Sequence, residues 1–482
     1  MLKLKNVIKQ LEDKDYQQLT QNFNETKANK YALLLGSLRE NNVSDRKMME
    51  MLEVNVNAFY TLKSRLYDKV QDYLINNLDT PKIELFRKVA NIPNLLFNAD
   101  KDTAQAVLTK LEKDLIDYDL PYELTSVYSA LKKIHLNTQK YYHYSQLYNK
   151  HVAQTLAQDK IEDLLTDFHK KLGDYHSSRD ASNIELLVIL LEEISKVNEI
   201  YDSHHLFVYK SIADISFKLF VPSADGEPDG EPIEDALEQI EKVIKQNPTD
   251  SIYQYLSLVY NFLSFEYYHQ LNVHRKEVDY FEYVNSRLPS FMLFNFCTVP
   301  TRFLKSKIER YVRMGIESQL WEENQALIAE FQPDPVDVPN FINYMKYLAV
   351  SSYYNGKLEE AEDYLTRLQN EVSFKNYPQA ELEVKLLMAL FYSLQDEYDI
   401  ATNLLRRVSD KVREMPDDRY ENVKLFVKLL KTQMKTDRRR VKEKLYELRD
   451  RFLQVNKGPD QMLEYLKIDD TFVETMSKVI KN

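Results

Sequence analysis

Glu266 and His269 stand three residues apart, so on a helix both side chains leave the same face. A Glu-x-x-His pair can supply two ligands to a metal held between helices, but such sites use the pair twice. This chain has it once, and His274 lies five residues beyond His269, pointing away from it. His204 and His205 are adjacent and leave a helix in different directions, which makes them a poor ligand pair. No metal or other cofactor is expected. Cys297 sits in Phe294-Asn295-Phe296-Cys297, an apolar setting that suits a buried inert thiol better than an activated nucleophile. Gly226 and Gly230 are the one close pair of glycines, and they lie in an acidic Pro-rich loop without the Lys-Ser/Thr of a phosphate-cradling loop. The 75 acidic residues form no catalytic constellation, so the chain reads as a non-enzyme.

Binding residues are easier to nominate. From Lys431 to Arg451 there are nine Lys/Arg and four Asp/Glu. Arg438, Arg439, Arg440, Lys442 and Lys444 could receive an acidic partner segment or phosphates. The alternatives are a solvated helix face, or neutralisation by the rest of this acidic chain. Trp321 and the run Tyr141-Tyr142-His143-Tyr144 offer rings for stacking, although their spacing fits packing between helices better.

The elements that must hold these residues are helices. Apolar residues make up 44% of 482 positions and recur at three- and four-residue spacing, which predicts amphipathic helices around a substantial core. Seven glycines are too few for sheet-rich or dinucleotide-binding folds, which need them in tight turns. The 34 tyrosines suit helix–helix seams where one end of the ring stays wet. The fold class is all-α. A net charge of −11 disfavours broad attraction to nucleic acid or anionic membrane. Leu186 to Leu191, one of the longest apolar stretches, is far too short to span a bilayer. One cysteine and a charged start without an apolar leader point to a cytoplasmic protein.

Ala361, Ala401 and Val441 recur forty residues apart in one local context. Each is followed at +4 and +7 by apolar residues: Leu365 and Leu368, Leu405 and Val408, Leu445 and Leu448. Such a period marks stacked helical hairpins, each too small to bury its own apolar face. Ala236, with Ile240, Val243 and Pro248 after it, repeats the pattern once more. On these residues, and on Gly356 in the turn before Ala361, the chain resembles tetratricopeptide repeats over 340–450 and in part over 233–265. The resemblance implies an α-solenoid and a non-catalytic role, an adaptor or scaffold binding a peptide or protein segment. Tyr353, Asn355 and Tyr392 are then candidates for the groove.

Asn42 to Leu66 looks like a helix-turn-helix. Ser44 or Asp45 would cap its first helix and Asn55 or Asn57 its second, with Met49, Leu52, Val54, Phe59 and Leu62 as the small core. Asn57, Tyr60, Lys63 and Arg65 would then contact DNA. Two features oppose that: Glu53 stands where the motif prefers glycine, and residues 44–75 hold five basic and five acidic side chains. A helical cap over the first repeat is the alternative. Pro/Gly breaks near residues 80, 225 and 335 suggest four pieces: 1–80, 81–222, 233–330 and 340–482. A short DNA-binding segment before helical repeats also resembles the layout of bacterial quorum-sensing peptide receptors, which makes a transcription regulator the rival function.

Overall fold

The computed structural model describes the chain apart from residues 1–3, 5–6, 9–10, 12, 27, 41–44, 77–80, 223–231, 249, 294–295, 416–417, 435–440 and 479–482. Among the described residues there are twenty-four α-helices and no strand, so the protein is all-α. None of these helices is long and apolar enough to cross a membrane. Contacts divide the chain into residues 1–115 and 116–482.

The first unit contains α1 (Asp13–Glu25), α2 (Asn29–Glu40), α3 (Asp45–Leu52), α4 (Val56–Asn76), α5 (Pro81–Ala90), α6 (Ile92–Asn98) and most of α7 (Lys101–Asp117). Leu19 and Phe23 of α1, Leu34, Leu35 and Leu38 of α2, Met48 and Leu52 of α3, and Phe59, Leu66, Val70 and Tyr73 of α4 close into one core. That core draws only on residues 4–73 for its buried members. Arg39 fastens the start of the chain to α2: its guanidinium donates to the carbonyls of Ile8 (3.2 Å) and Leu11 (2.9 Å) and to Asp13 (2.6 Å). Pro81 and Pro93 fall in the first turns of α5 and α6, where a missing N–H costs nothing.

The second unit runs through α8 (Pro121–Ile134), α9 (Lys140–Ser178), α10 (Ser182–Ile200), α11 (His204–Phe220), α12 (Ile233–Gln246), α13 (Ser251–Gln270) and α14 (His274–Asn285). It continues with α15 (Leu288–Met292), α16 (Arg302–Met314), α17 (Gln319–Glu330), α18 (Val338–Tyr354), α19 (Leu358–Glu371), α20 (Pro378–Leu394), α21 (Tyr398–Glu414), α22 (Glu421–Gln433), α23 (Val441–Val455) and α24 (Asp470–Lys478). Most helices pack on their neighbours in sequence, and one continuous core reaches from Ile161 to Met476. The polar run His176–Ser178 does not interrupt the helix. There α9 continues to Ser178 and ends at Arg179, whose φ of 57° turns the chain into the left-handed region.

The forty-residue register is real in space. Helices α18/α19, α20/α21 and α22/α23 form successive hairpins. Ala361 and Ala401 are wholly buried at the start of their second helices, and Val441 nearly so. Leu365, Leu368, Leu405, Val408, Leu445 and Leu448 lie buried behind them. The two described turns share one backbone geometry. Gly356 and Asp396 both have positive φ, 74° and 64°. The Lys357 amide donates to Ser352 O, and the Glu397 amide to Tyr392 O, each at 2.9 Å. The third turn lies outside the described residues. Close approach at the small residue predicts a steric test: Ala361→Leu should cost about 1–3 kcal/mol by overpacking. The exposed Glu359→Leu should stay within about 0.5 kcal/mol. Urea midpoints compare the two, and equal costs would mean that helix contact at Ala361 is loose.

Candidate functional site

In the first unit, the segment expected to be a helix-turn-helix forms two helices, α3 and α4, joined by a short turn, and α2 packs on both. The turn is set by Glu53, whose φ of 51° is the conformation that glycine adopts most easily. Asn55 caps α4, its Oδ1 accepting the Ala58 amide at 2.9 Å, while Asn57 sits within the helix. Met48, rather than Met49, takes the fully buried position of α3; Met49, Val54 and Leu62 are only half-buried. Phe59, Leu66, Val70 and Tyr73 fill the inner side of α4, which leaves Asn57, Tyr60, Thr61, Ser64 and Arg65 exposed. Lys63 is not part of that face. Its ammonium pairs with Asp45 at 2.8 Å and lies 4.7 Å from the Phe59 ring centre, fastening α4 to α3.

Arg438, Arg439 and Arg440 lie outside the described residues. Of the same basic run, Lys442 is tied to Glu474 at 2.6 Å and Lys444 is exposed on α23. The three residues expected to line a groove are half-buried, and each has a partner within the fold. Tyr353 stacks on Phe391, Tyr392 donates to Glu362, and the Asn355 amide donates to Ser318 O at 3.0 Å. Trp321 joins α17 to α19, donating to Glu360 at 3.0 Å with the Lys357 ammonium over its ring. Cys297 is fully buried, and burial pushes its thiol pKa up, away from nucleophilic use.

The histidines find partners that the sequence pairing misses. His269 lies between Glu277 of α14 (3.1 Å) and Glu309 of α16 (3.2 Å), not in a site with Glu266. Burial alone would lower its pKa, yet these carboxylates raise it. His204 and His205, set aside in the sequence, open α11 beside Asp119, and one potential ligand atom from each lies within 4.8 Å of the others. His205 is already engaged on both nitrogens: Nδ1 is 3.3 Å from Asp119 and Nε2 is 3.1 Å from Asp250. Burial opposes its charge, but the two carboxylates outweigh that and raise its pKa. His204 goes the other way, lowered by burial and by its charged neighbour, with Nδ1 2.5 Å from the Tyr253 hydroxyl. The arrangement favours the protonated form of His205.

No known family model, curated protein or solved structure matches this chain.

A further cluster of charged side chains lies where α9, α16, α18 and α20 meet residues 461–465 around a cavity of about 30 Å³. Residues 456–463 are pinned by side chains. Asn456 exchanges bonds with both backbone groups of Met462 (2.8 and 2.9 Å), and Glu383 accepts the Leu463 amide at 2.8 Å. That clamp delivers Glu464 to Arg179 at 3.0 Å and Lys305 at 3.1 Å. Burial would raise the Glu464 pKa, yet Lys305, Arg179 and Arg302 hold it at about 2. Lys346 pairs with Glu383 at 2.6 Å. The participants are spread over 285 positions of sequence, so no local motif could have announced them.

Proposed function

We propose that this chain is a non-enzymatic regulator: α4 docks into duplex DNA, and the helical-repeat body of residues 116–482 supplies the regulatory surface. One observation carries the reading. Helices α1 to α4 share their own core, and the polar side of the first turns of α4 is exposed. Asn57 and Tyr60 are the base-edge candidates, and Arg65 and Lys69 the phosphate contacts. Few cations stand on this face, so the salt response should be modest. With about two to four phosphates neutralised, affinity for a mixed-sequence duplex should fall about 10- to 100-fold between ~50 and ~200 mM salt.

Fluorescence anisotropy on the full chain tests it. Arg65→Glu should weaken binding about tenfold and flatten the salt dependence by about one phosphate. Asn57→Ala should narrow the affinity difference between duplexes and leave the salt slope alone. Lys63 is avoided because its loss would unfasten α3. Absence of binding at low salt sinks the DNA reading.

The second reading is a protein-interaction scaffold, an α-solenoid similar to tetratricopeptide proteins. The forty-residue register supports it, as does an open groove of about 400 Å³ between α9 and the 334–340 segment. Phe296, Val299, Val336 and Pro339 give that groove apolar walls, with Lys170 and Asp174 beside them, a composition suited to a peptide segment.

A further inference from the structure

We propose that the cavity among α9, α16, α18, α20 and residues 461–465 binds one compact dianionic oxyanion, of which phosphate and sulfate are the common sources. This goes beyond the regulator reading and does not depend on it.

Charge comes first. Arg179, Arg302, Lys305 and Lys346 line the cavity against two carboxylates, Glu383 and Glu464. The next shell adds Glu266, Glu309 and Glu277 against Arg310 and Arg313, which still leaves an excess of one positive charge. The two lining carboxylates are committed to Lys346 in one case and to Arg179 and Lys305 in the other. Arg302 is left with the face of Phe220, 4.6 Å from its guanidinium carbon, and with longer-range attraction to Glu266 and Glu464. A guanidinium stays charged at any ordinary pH, and a buried charge without a close counter-ion is strongly unfavourable.

Unsatisfied polar atoms concentrate at the same place. His176 Nε2, Ser177 Oγ, Arg179 Nε, Arg302 Nε and Gln379 Oε1 are buried without a hydrogen-bond partner, and all five residues line this cavity. Buried polar atoms are nearly always satisfied, so such a concentration points to a polar guest. Arg302 opens α16, and Gln379 and Ala380 lie in the first turn of α20, so two positive helix ends stand against the single negative end of α9 at Ser178. A space of about 30 Å³ takes about two waters or one compact ion, which excludes nucleotides and peptides. Arginine forks and lysine ammonium groups are the natural partners of such an oxyanion.

Calorimetric titration of the full chain with sodium phosphate, and separately with sodium sulfate, tests this against sodium chloride at matched ionic strength. One saturable site of sub-millimolar affinity is expected for phosphate or sulfate, with a melting temperature several degrees higher at about 10 mM. The stronger of the two identifies the source. Arg302→Met should bind at least tenfold more weakly and lose the thermal shift, yet melt no lower than wild type in chloride. Arg302→Lys keeps the charge and should bind within severalfold of wild type. Equal binding by wild type and Arg302→Met would mean an adventitious ion only. No saturable heat and no thermal shift in wild type would mean a water-filled cavity. Either result overturns the proposal, and the wild-type shift alone decides it if Arg302→Met does not fold.

Discussion

Changing Glu277 to Gln is expected to destabilise residues 116–482 by about 3–5 kcal/mol, the cost of leaving buried charges without their partner. Glu277 is fully buried on α14. One of its oxygens accepts from Arg310 at 2.6 Å and from Arg313, and the other faces His269 of α13 at 3.1 Å. A single carboxylate therefore joins three helices, α13, α14 and α16. Gln fills the same space and can still accept hydrogen bonds, so the loss isolates charge from packing. Arg310, only 6% exposed, would remain ionised in a site with no compensating charge beside it. Arg313 has nearly a third of its side chain in water, so Arg313→Gln should cost about 1 kcal/mol. Urea unfolding of the two variants measures the contrast. A loss under about 1 kcal/mol for Glu277→Gln would mean that the cations relax to solvent and that the carboxylate is not the clamp.

That network also marks where sequence reading stops. Ala361, Ala401 and their apolar followers were legible because each repeats a local demand: a small residue at a helix crossing, then larger ones a turn apart. The turns were legible for the same reason, since Gly356 names its own backbone conformation. Asp396 does not, yet it adopts the same positive φ because the hairpin around it requires it. The α4 face was visible from the helical phase, but Lys63 was misplaced on it because its partner Asp45 belongs to another helix. His204 and His205 fail a rule that holds inside helices, where adjacent side chains diverge. They are the first two residues of α11, with no preceding turn to separate them, and their ring centres lie 4.6 Å apart. The anion cavity was invisible altogether. Arg179, Arg302, Lys346 and Glu464 come from four distant segments and carry no shared spacing.

His205 should give the stability its clearest dependence on pH. It sits between Asp119 and Asp250, themselves 8% and 1% exposed, and Asp119 is further held by Ser203 and by the Gln154 amide at 3.1 Å. Its folded pKa is raised above 6.5, so its contribution is complete below 6.5 and is lost as pH climbs through the raised value. Asp119 is shifted down from 3.8: burial opposes that shift, but His205 and Ser203 prevail. Its contribution is present above 3.8 and fails as pH falls through the lowered value. The pair is therefore strongest between those two ordinary values. His205→Gln should cost about 3 kcal/mol at pH 6 and progressively less as the pH is raised, because wild type then also holds a neutral ring between two carboxylates. Titrating groups away from this site, such as His269, act alike in both proteins and cancel in the difference, whereas His204, lowered in part by His205, adds its own change to it. Urea unfolding of both proteins at several pH values from 5.5 to about 9 reads it. A gap that stays constant across that range would show that His205 stabilises by shape and hydrogen bonding, with its charge contributing nothing.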